Sequence, residues 1–336
     1  MQFGYFYALL FSALSIDKLN MKKLLIVVVS LFAVYYFISK FDFIEQYINY
    51  NNLPDKISND IYDKNIPDSI PLNKLRFLST HNSYHKKPGI IKSFLIKLFK
   101  PGEVDALQYS HPSLYKQFDK GIRGLELDVR YVNGNFVTMH VPVVDNNSNS
   151  PDVMLAFKEI KRWSDNHPVH IPIIVIIELS REWNKYYPFQ EKWSEELLLK
   201  FDNKVYNELQ NKLITPKDLK KSYPVLKEVR GKIFIVFMAD SDIVHIFGKK
   251  YKKNRKATFM MVDCKTPAKD IKFVKRDNPF SSDIDSLVQN GYIVRTRADA
   301  GLVKDTAKTI KVLNSKAQII STDFPDNLIK QSRIDL

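Results

Sequence analysis

Ile173-Ile174-Val175-Ile176-Ile177-Glu178 sets five consecutive β-branched aliphatic residues in front of one carboxylate. A run that is apolar at every position, rather than at alternate ones, suits a parallel strand covered on both faces. Glu178 follows directly, and a charge at the end of a buried strand is costly unless it is paired or binds a metal. Comparable runs recur on both sides of it. Leu75–Thr80, Gly124–Val132, Phe136–His140, Ile233–Met238, Thr258–Val262, Ile293–Thr296 and Gln318–Ser321 read as strands. Asn133-Gly134-Asn135 between two of them is a hairpin signal.

Helix-like stretches separate the strands. Asp152–Asn166 carries Val153, Leu155, Ala156, Phe157, Ile160 and Trp163 at near-helical spacing, with Asp152 as N-cap. Glu191–Leu213 and Leu302–Leu313 have similar patterns. Strand and helix alternating over some 250 residues predict an α/β fold, a distorted TIM (β/α) barrel. Residues 72–336 are expected to form it, after a segment of about 1–40 and an Asn-, Asp- and Pro-rich entry segment at 41–71.

In such a barrel the reactive groups stand at the C-terminal ends of strands. The first strand ends in Thr80-His81-Asn82-Ser83-Tyr84-His85. Glu126 and Asp128 share one strand face, with Leu125, Leu127 and Val129 on the other. Two carboxylates on one face repel unless a cation lies between them. Asn82, Glu126, Asp128 and Glu178 together offer an all-oxygen cage for a hard divalent cation, with Ca²⁺ preferred and Mg²⁺ or Mn²⁺ not distinguished. His81 and His140, both at strand ends, can divide the roles of general base and general acid on a phosphodiester near neutral pH.

Composition agrees without deciding. Lys and Arg outnumber Asp and Glu by 51 to 37, which favours an anionic partner. Lys249–Arg276 holds eleven of those cations against Asp263 and Asp270, either a patch for anionic lipid or an ordinary solvated face. No nucleic-acid-binding module is recognisable. The one cysteine, Cys264, excludes an intramolecular disulfide and a thiolate zinc site. Near the N-terminus, Met21-Lys22-Lys23 precedes an apolar run from Leu24 to Ile38, the layout of an export signal or membrane anchor. An exported protein, secreted or anchored by that segment, is the expectation.

Several of these segments, taken in order, resemble the calcium-dependent phosphatidylinositol-specific phospholipases C. They are Thr80–His85, Gly121-Ile122-Arg123-Gly124-Leu125-Glu126-Leu127-Asp128, Met139-His140-Val141-Pro142 and Trp163-Ser164-Asp165-Asn166-His167-Pro168. The similarity continues through Pro172–Glu178, Arg230-Gly231-Lys232, Arg295-Thr296-Arg297-Ala298-Asp299 and Ser321-Thr322-Asp323-Phe324-Pro325. The resemblance implies a barrel of the phospholipase C-like phosphodiesterase type with one bound Ca²⁺. It implies Asn82, Glu126, Asp128 and Glu178 as calcium ligands and His81 and His140 as the catalytic pair. The substrate it implies is phosphatidylinositol, or a related inositol phosphodiester, at an anionic membrane surface, cleaved by a monomer through attack of the inositol 2-hydroxyl. His85, Arg130, Arg295 and Arg297 are further candidates for substrate contact; the alternative is a solvated loop residue for His85 and structural ion pairing for the arginines.

Two departures separate the chain from that pattern. Some relatives carry cysteines after the second-histidine segment, and Val143–Ser148 has none. Many have a lysine two positions after the strand-end glutamate, where Ser180 stands here. Substrate identity is therefore less constrained than reaction type. The alternatives are a glycerophosphodiesterase, a sphingomyelinase D-like phosphodiesterase, or a lipid-binding barrel without turnover.

Overall fold

The computed structural model describes residues 18–55, 61–99, 101–181, 187–219, 222–299, 303–326 and 328. The strands are β1 (Phe77–Thr80), β2 (Gly124–Val132), β3 (Asn135–Thr138), β4 (Ile173–Leu179), β5 (Gln190–Glu191), β6 (Ile233–Met238), β7 (Thr258–Val262), β8 (Phe273–Lys275), β9 (Ile293–Arg297) and β10 (Ile319–Thr322). All but β3 and β5 are parallel, and each pairs with its neighbour in the chain. β10 returns to β1, and β1 meets β2, so the parallel strands close into a barrel. β3 and β5 add antiparallel pairings to the outer half of β2. The fold is a TIM (β/α) barrel, distorted by the β2–β3 hairpin.

The seam between β1 and β2 is narrow, with Ser79 opposite Gly124. A Cβ added to Gly124 would come 2.5 Å from the Ser79 Cβ, so the close approach needs glycine here. The β2–β3 hairpin turns through Asn133 (φ 47°) and Gly134 (φ 82°), the two left-handed residues that a type I′ turn requires.

Alternation sorts the strand residues into two packed layers. Leu125, Leu127, Val175 and Ile177 face outward with Phe157, Trp163 and Phe201 in one core cluster. Phe77, Ile174, Ile176, Phe234, Phe259 and Phe273 form another, which also takes in Leu72, Leu226 and Val229. By the same alternation Glu126, Asp128, Glu178, Lys275, Arg295 and Arg297 point into the barrel at the C-terminal ends of their strands.

Three differences from the sequence reading have local causes. β8 lies inside the basic run Lys249–Arg276, where three residues are too few to show a period; Phe273 and Val274 are fully buried. The helix expected over 191–213 runs Glu195–Leu209, because Ser194 Oγ accepts the Leu197 amide (3.2 Å) and starts it there. The helix Thr306–Leu313 begins after the cap Asp305; Leu302, its expected first residue, lies outside the described residues. The helix Val153–Asn166 has its expected cap, Asp152 Oδ1 accepting from the Met154 and Leu155 amides at 2.8 and 3.1 Å.

The apolar run Leu24–Ile38 belongs to a helix, Lys18–Asn51. Among the described residues no helix is long and apolar enough to cross a membrane. The expectation of an exported or N-terminally anchored protein is corrected accordingly. At about 1.5 Å per residue the run rises only about 22 Å, short of the roughly 30 Å of a bilayer core. Lys22-Lys23 and Lys40-Phe41-Asp42 bound it. The chain forms two compact units, residues 1–44 and 45–336, and the second contains the barrel.

Candidate active site

β1, β2 and β4 are adjacent in the barrel, and the polar residues at their ends converge. Asp128 pairs in register with Glu178, and Glu126 precedes Asp128 by one pleat. Glu126, Asp128 and Glu178 each present a carboxylate oxygen within 4.8 Å of the others. Burial would raise the Glu126 carboxyl, but Arg295, with His81 and Arg297, holds it below the usual range. Burial and the Glu126 charge push Asp128 up against the opposing pull of His140. Burial, Asp128 and Glu126 push Glu178 well up. Asp128 Oδ1 is buried and has no hydrogen-bond partner among the described residues. An orphaned carboxylate oxygen among mutually repelling carboxylates fits a hard divalent cation.

Asn82 is the second residue after β1, buried and left-handed at φ 44°. Its carbonyl accepts the His85 amide (2.8 Å), and the next amide, Ser83, donates to the Glu126 carbonyl (2.8 Å). The turn that carries Asn82 is thereby fastened to β2.

His81 stands at the end of β1 with Nδ1 2.8 Å from Asp323 Oδ1 and Nε2 3.7 Å from Glu126 Oε1. Arg297 Nη2 lies 3.3 Å from the same Nδ1 and 3.6 Å from Asp323 Oδ2. Nδ1 cannot donate to the carboxylate and also accept from a guanidinium. The shorter contact to a buried carboxylate fixes the proton on Nδ1 and leaves the Nε2 lone pair in the neutral ring. His111 Nε2, 3.0 Å from the His81 carbonyl, steadies the backbone; burial lowers His111 to about 4, so it donates as a neutral ring.

His140 follows β3, with Nδ1 2.7 Å from Asp145 Oδ2. Burial alone would lower it, but the bond to Asp145 and the charges of Asp128, Asp145 and Glu178 raise it to about 9. Asp145 is itself raised by burial and lowered, to about 2, by its bonds to His140 and His85. His81 and His140 thus flank the carboxylate cluster, each backed by a buried carboxylate.

The other candidates are engaged with protein groups. His85 is fully buried, its ring nitrogens near Asp145 and the Tyr109 carbonyl. Arg130 donates to the Met139 and His140 carbonyls and to Gln190 Oε1, and so positions the His140 backbone. Arg295 spans Glu126 Oε2 (2.5 Å), Asp277 and Ser321 Oγ (3.2 Å). Only Arg297 keeps partial exposure beside His81.

Sequence reasoning did not single out Asp323, Asp145 or Lys275. Asp323 lies in a recognised motif and its position just after β10, next to β1, was the available signal. Lys275 projects from β8, 3.3 Å from Asp277 Oδ2; burial works against its charge, and Asp277 and Glu178 more than offset this.

The solved calcium-dependent phosphoinositol-specific phospholipase C of a Gram-negative Pseudomonas sp. is 18% identical, with a TM-score of 0.52 over 76% of this chain and 90% of that one. The Ca²⁺-dependent phosphatidylinositol-specific phospholipase C of Streptomyces antibioticus is 16% identical, TM-score 0.54, over 79% and 98%. The phosphatidylinositol-specific phospholipase C of Listeria monocytogenes is 18% identical, TM-score 0.51, over 82% and 97%. At these identities the likeness is one of fold. No curated protein sequence matches the chain. The sequence model of the Ca²⁺-dependent phosphoinositide phospholipases C matches residues 70–138 and 130–335, and the chain belongs to that family.

Proposed function

We propose that the protein is a Ca²⁺-dependent phosphodiesterase that cleaves phosphatidylinositol, or a related inositol phosphodiester, by attack of the inositol 2-hydroxyl on phosphorus. The observation that carries this is the pair of imidazoles, His81 on Asp323 and His140 on Asp145, on either side of the Glu126–Asp128–Glu178 cluster. Those carboxylates, with Asn82, would hold the Ca²⁺. When bound, the ion supplies positive charge to the phosphoryl oxygens.

His81 Nε2 takes the proton of the attacking hydroxyl as the new oxygen–phosphorus bond forms, and Asp323 holds the resulting imidazolium in place. His140, its Nδ1 2.7 Å from buried Asp145, gives its Nε2 proton to the diacylglycerol oxygen as that bond to phosphorus breaks. Arg297, beside His81, faces the charge that gathers on the phosphoryl group. The products are diacylglycerol and an inositol cyclic phosphate, which water can open in a second step.

A lipid surface is supported by the helix Ile90–Phe99, ten residues beyond the end of β1. Its outward residues Ile90, Ile91, Phe94 and Leu98 fall within one 100° arc and are 60–91% exposed, with Lys97 exposed at the edge. An apolar face with a lysine at its edge complements the acyl region and headgroups of an anionic bilayer. Lys92 Nζ ties the helix to Asn146 (2.5 Å), one residue beyond Asp145, and so to the active-site rim.

Phosphorus NMR of the full-length protein with phosphatidylinositol micelles tests the reading. A cyclic inositol phosphate signal that appears with calcium and vanishes with chelator is expected. Glycerol phosphate from a glycerophosphodiester, with no inositol product, would replace it by the glycerophosphodiesterase alternative.

A further inference from the structure

We propose that Asp145 and His85 form a positioning pair that holds His140 for proton transfer to the leaving oxygen; this rests on the reading of His140 as general acid. Asp145 is 1% exposed and bridges two imidazoles, Oδ2 to His140 Nδ1 at 2.7 Å and Oδ1 to His85 Nε2 at 3.0 Å. His85 Nδ1 lies 3.1 Å from the Tyr109 carbonyl, and its ring stacks on the Tyr109 ring at 4.3 Å and 22°. A carboxylate oxygen only accepts, so His85 Nε2 is the donor to Asp145, and the Tyr109 ring packed on its face fixes the plane in which it does so.

The chain is built around this bridge. Asp145 and Val141 exchange backbone hydrogen bonds of 3.0 and 2.9 Å, which closes a tight turn directly after His140. Val143, at its tip, is left-handed (φ 73°), an arrangement a β-branched residue adopts only under constraint from its surroundings. Arg130 holds the His140 carbonyl from the other side at 2.7 Å. The His140 ring, the Asp145 carboxylate behind it and the His140 backbone are each fixed by a separate contact. With Nδ1–H bound to Asp145, the Nε2 proton is the one left to give away.

The full-length protein is assayed with calcium on phosphatidylinositol and on an inositol phosphate ester of 4-nitrophenol, whose leaving group departs without a proton. Asp145→Asn should lower kcat on the lipid by about a hundredfold or more and on the nitrophenyl ester by much less, as should His140→Ala. His85→Gln, which leaves the Asp145–His140 contact in place, should show the same leaving-group dependence with a smaller loss; it carries the test if Asp145→Asn does not fold. Equal losses on both substrates, or no loss on either, would overturn the positioning role while leaving the proposed function standing. A wild-type protein inactive on both inositol substrates would remove the parent reading, and this inference with it.

Discussion

Asp323 Oδ1 lies 2.8 Å from His81 Nδ1, across the seam where β10 meets β1. Asp323 therefore selects the ring tautomer that leaves Nε2 free to accept a proton. An amide in its place presents a donor to Nδ1 and favours the opposite tautomer. Asp323→Asn is expected to reduce kcat by about a thousandfold or more, and by more than Asp323→Ala, which leaves the ring free to take either form. His81→Ala should remove turnover while lipid binding persists. An Asn variant more active than the Ala variant would count against tautomer selection.

How far this site was legible follows from where its parts lie in the chain. Glu126, Asp128 and Glu178 were readable because each interrupts an apolar strand, and alternation alone directs them to one side. β2, β6 and β7 matched their expected bounds for the same reason. Asp145 and Asp323 sit in loops with no period, and only the closed barrel brings Asp323 to His81 over 242 positions. His85 and Arg130 looked available for substrate because their types suit a phosphate. Their burial is set by Asp145, Tyr109 and the Met139–His140 backbone, contacts that no spacing reveals.

The carboxylate cluster predicts a calcium response in stability as well as in activity. A ligand that binds only the folded state at a hundred times its Kd adds about 2.7 kcal/mol. Wild type should therefore melt several degrees higher with calcium than with chelator. Asp128→Asn and Glu178→Gln relieve the mutual repulsion, so each should melt at or above wild type in chelator and lose most of the calcium increment. Scanning calorimetry reads both quantities; an undiminished increment in both variants would place the ion elsewhere.

The exposed face of Ile90–Phe99 predicts a separation of binding from chemistry. Ile91→Ser and Phe94→Ser remove apolar surface that is 76% and 60% exposed, so stability should change by less than about 0.5 kcal/mol. Sedimentation with vesicles of phosphatidylinositol and phosphatidylserine should show severalfold weaker binding for the double variant. Turnover of the soluble nitrophenyl ester should be unchanged. Vesicle binding equal to wild type would remove this helix from the lipid surface.

Away from the site, His170 sets a pH dependence of folding. It is fully buried, its Nε2 2.8 Å from Ser164 Oγ and its Nδ1 2.5 Å from the Ile171 carbonyl. Burial lowers it to about 3, with Arg123 and Lys212 adding to the effect against the Ile171 bond. The folded value lies below the unfolded value of about 6.5, so the unfolded chain takes up the proton first as pH falls. The stability this ring contributes is therefore complete above about pH 6.5 and drains away toward pH 3, by about 2 kcal/mol between pH 7 and pH 5. His111, lowered to about 4, acts in the same direction. His170→Gln should be less stable at pH 7 through lost packing, yet lose about 2 kcal/mol less than wild type on acidification to pH 5. Urea unfolding at the two pH values measures the difference, and parallel losses in the two proteins would show that His170 does not govern the acid limb.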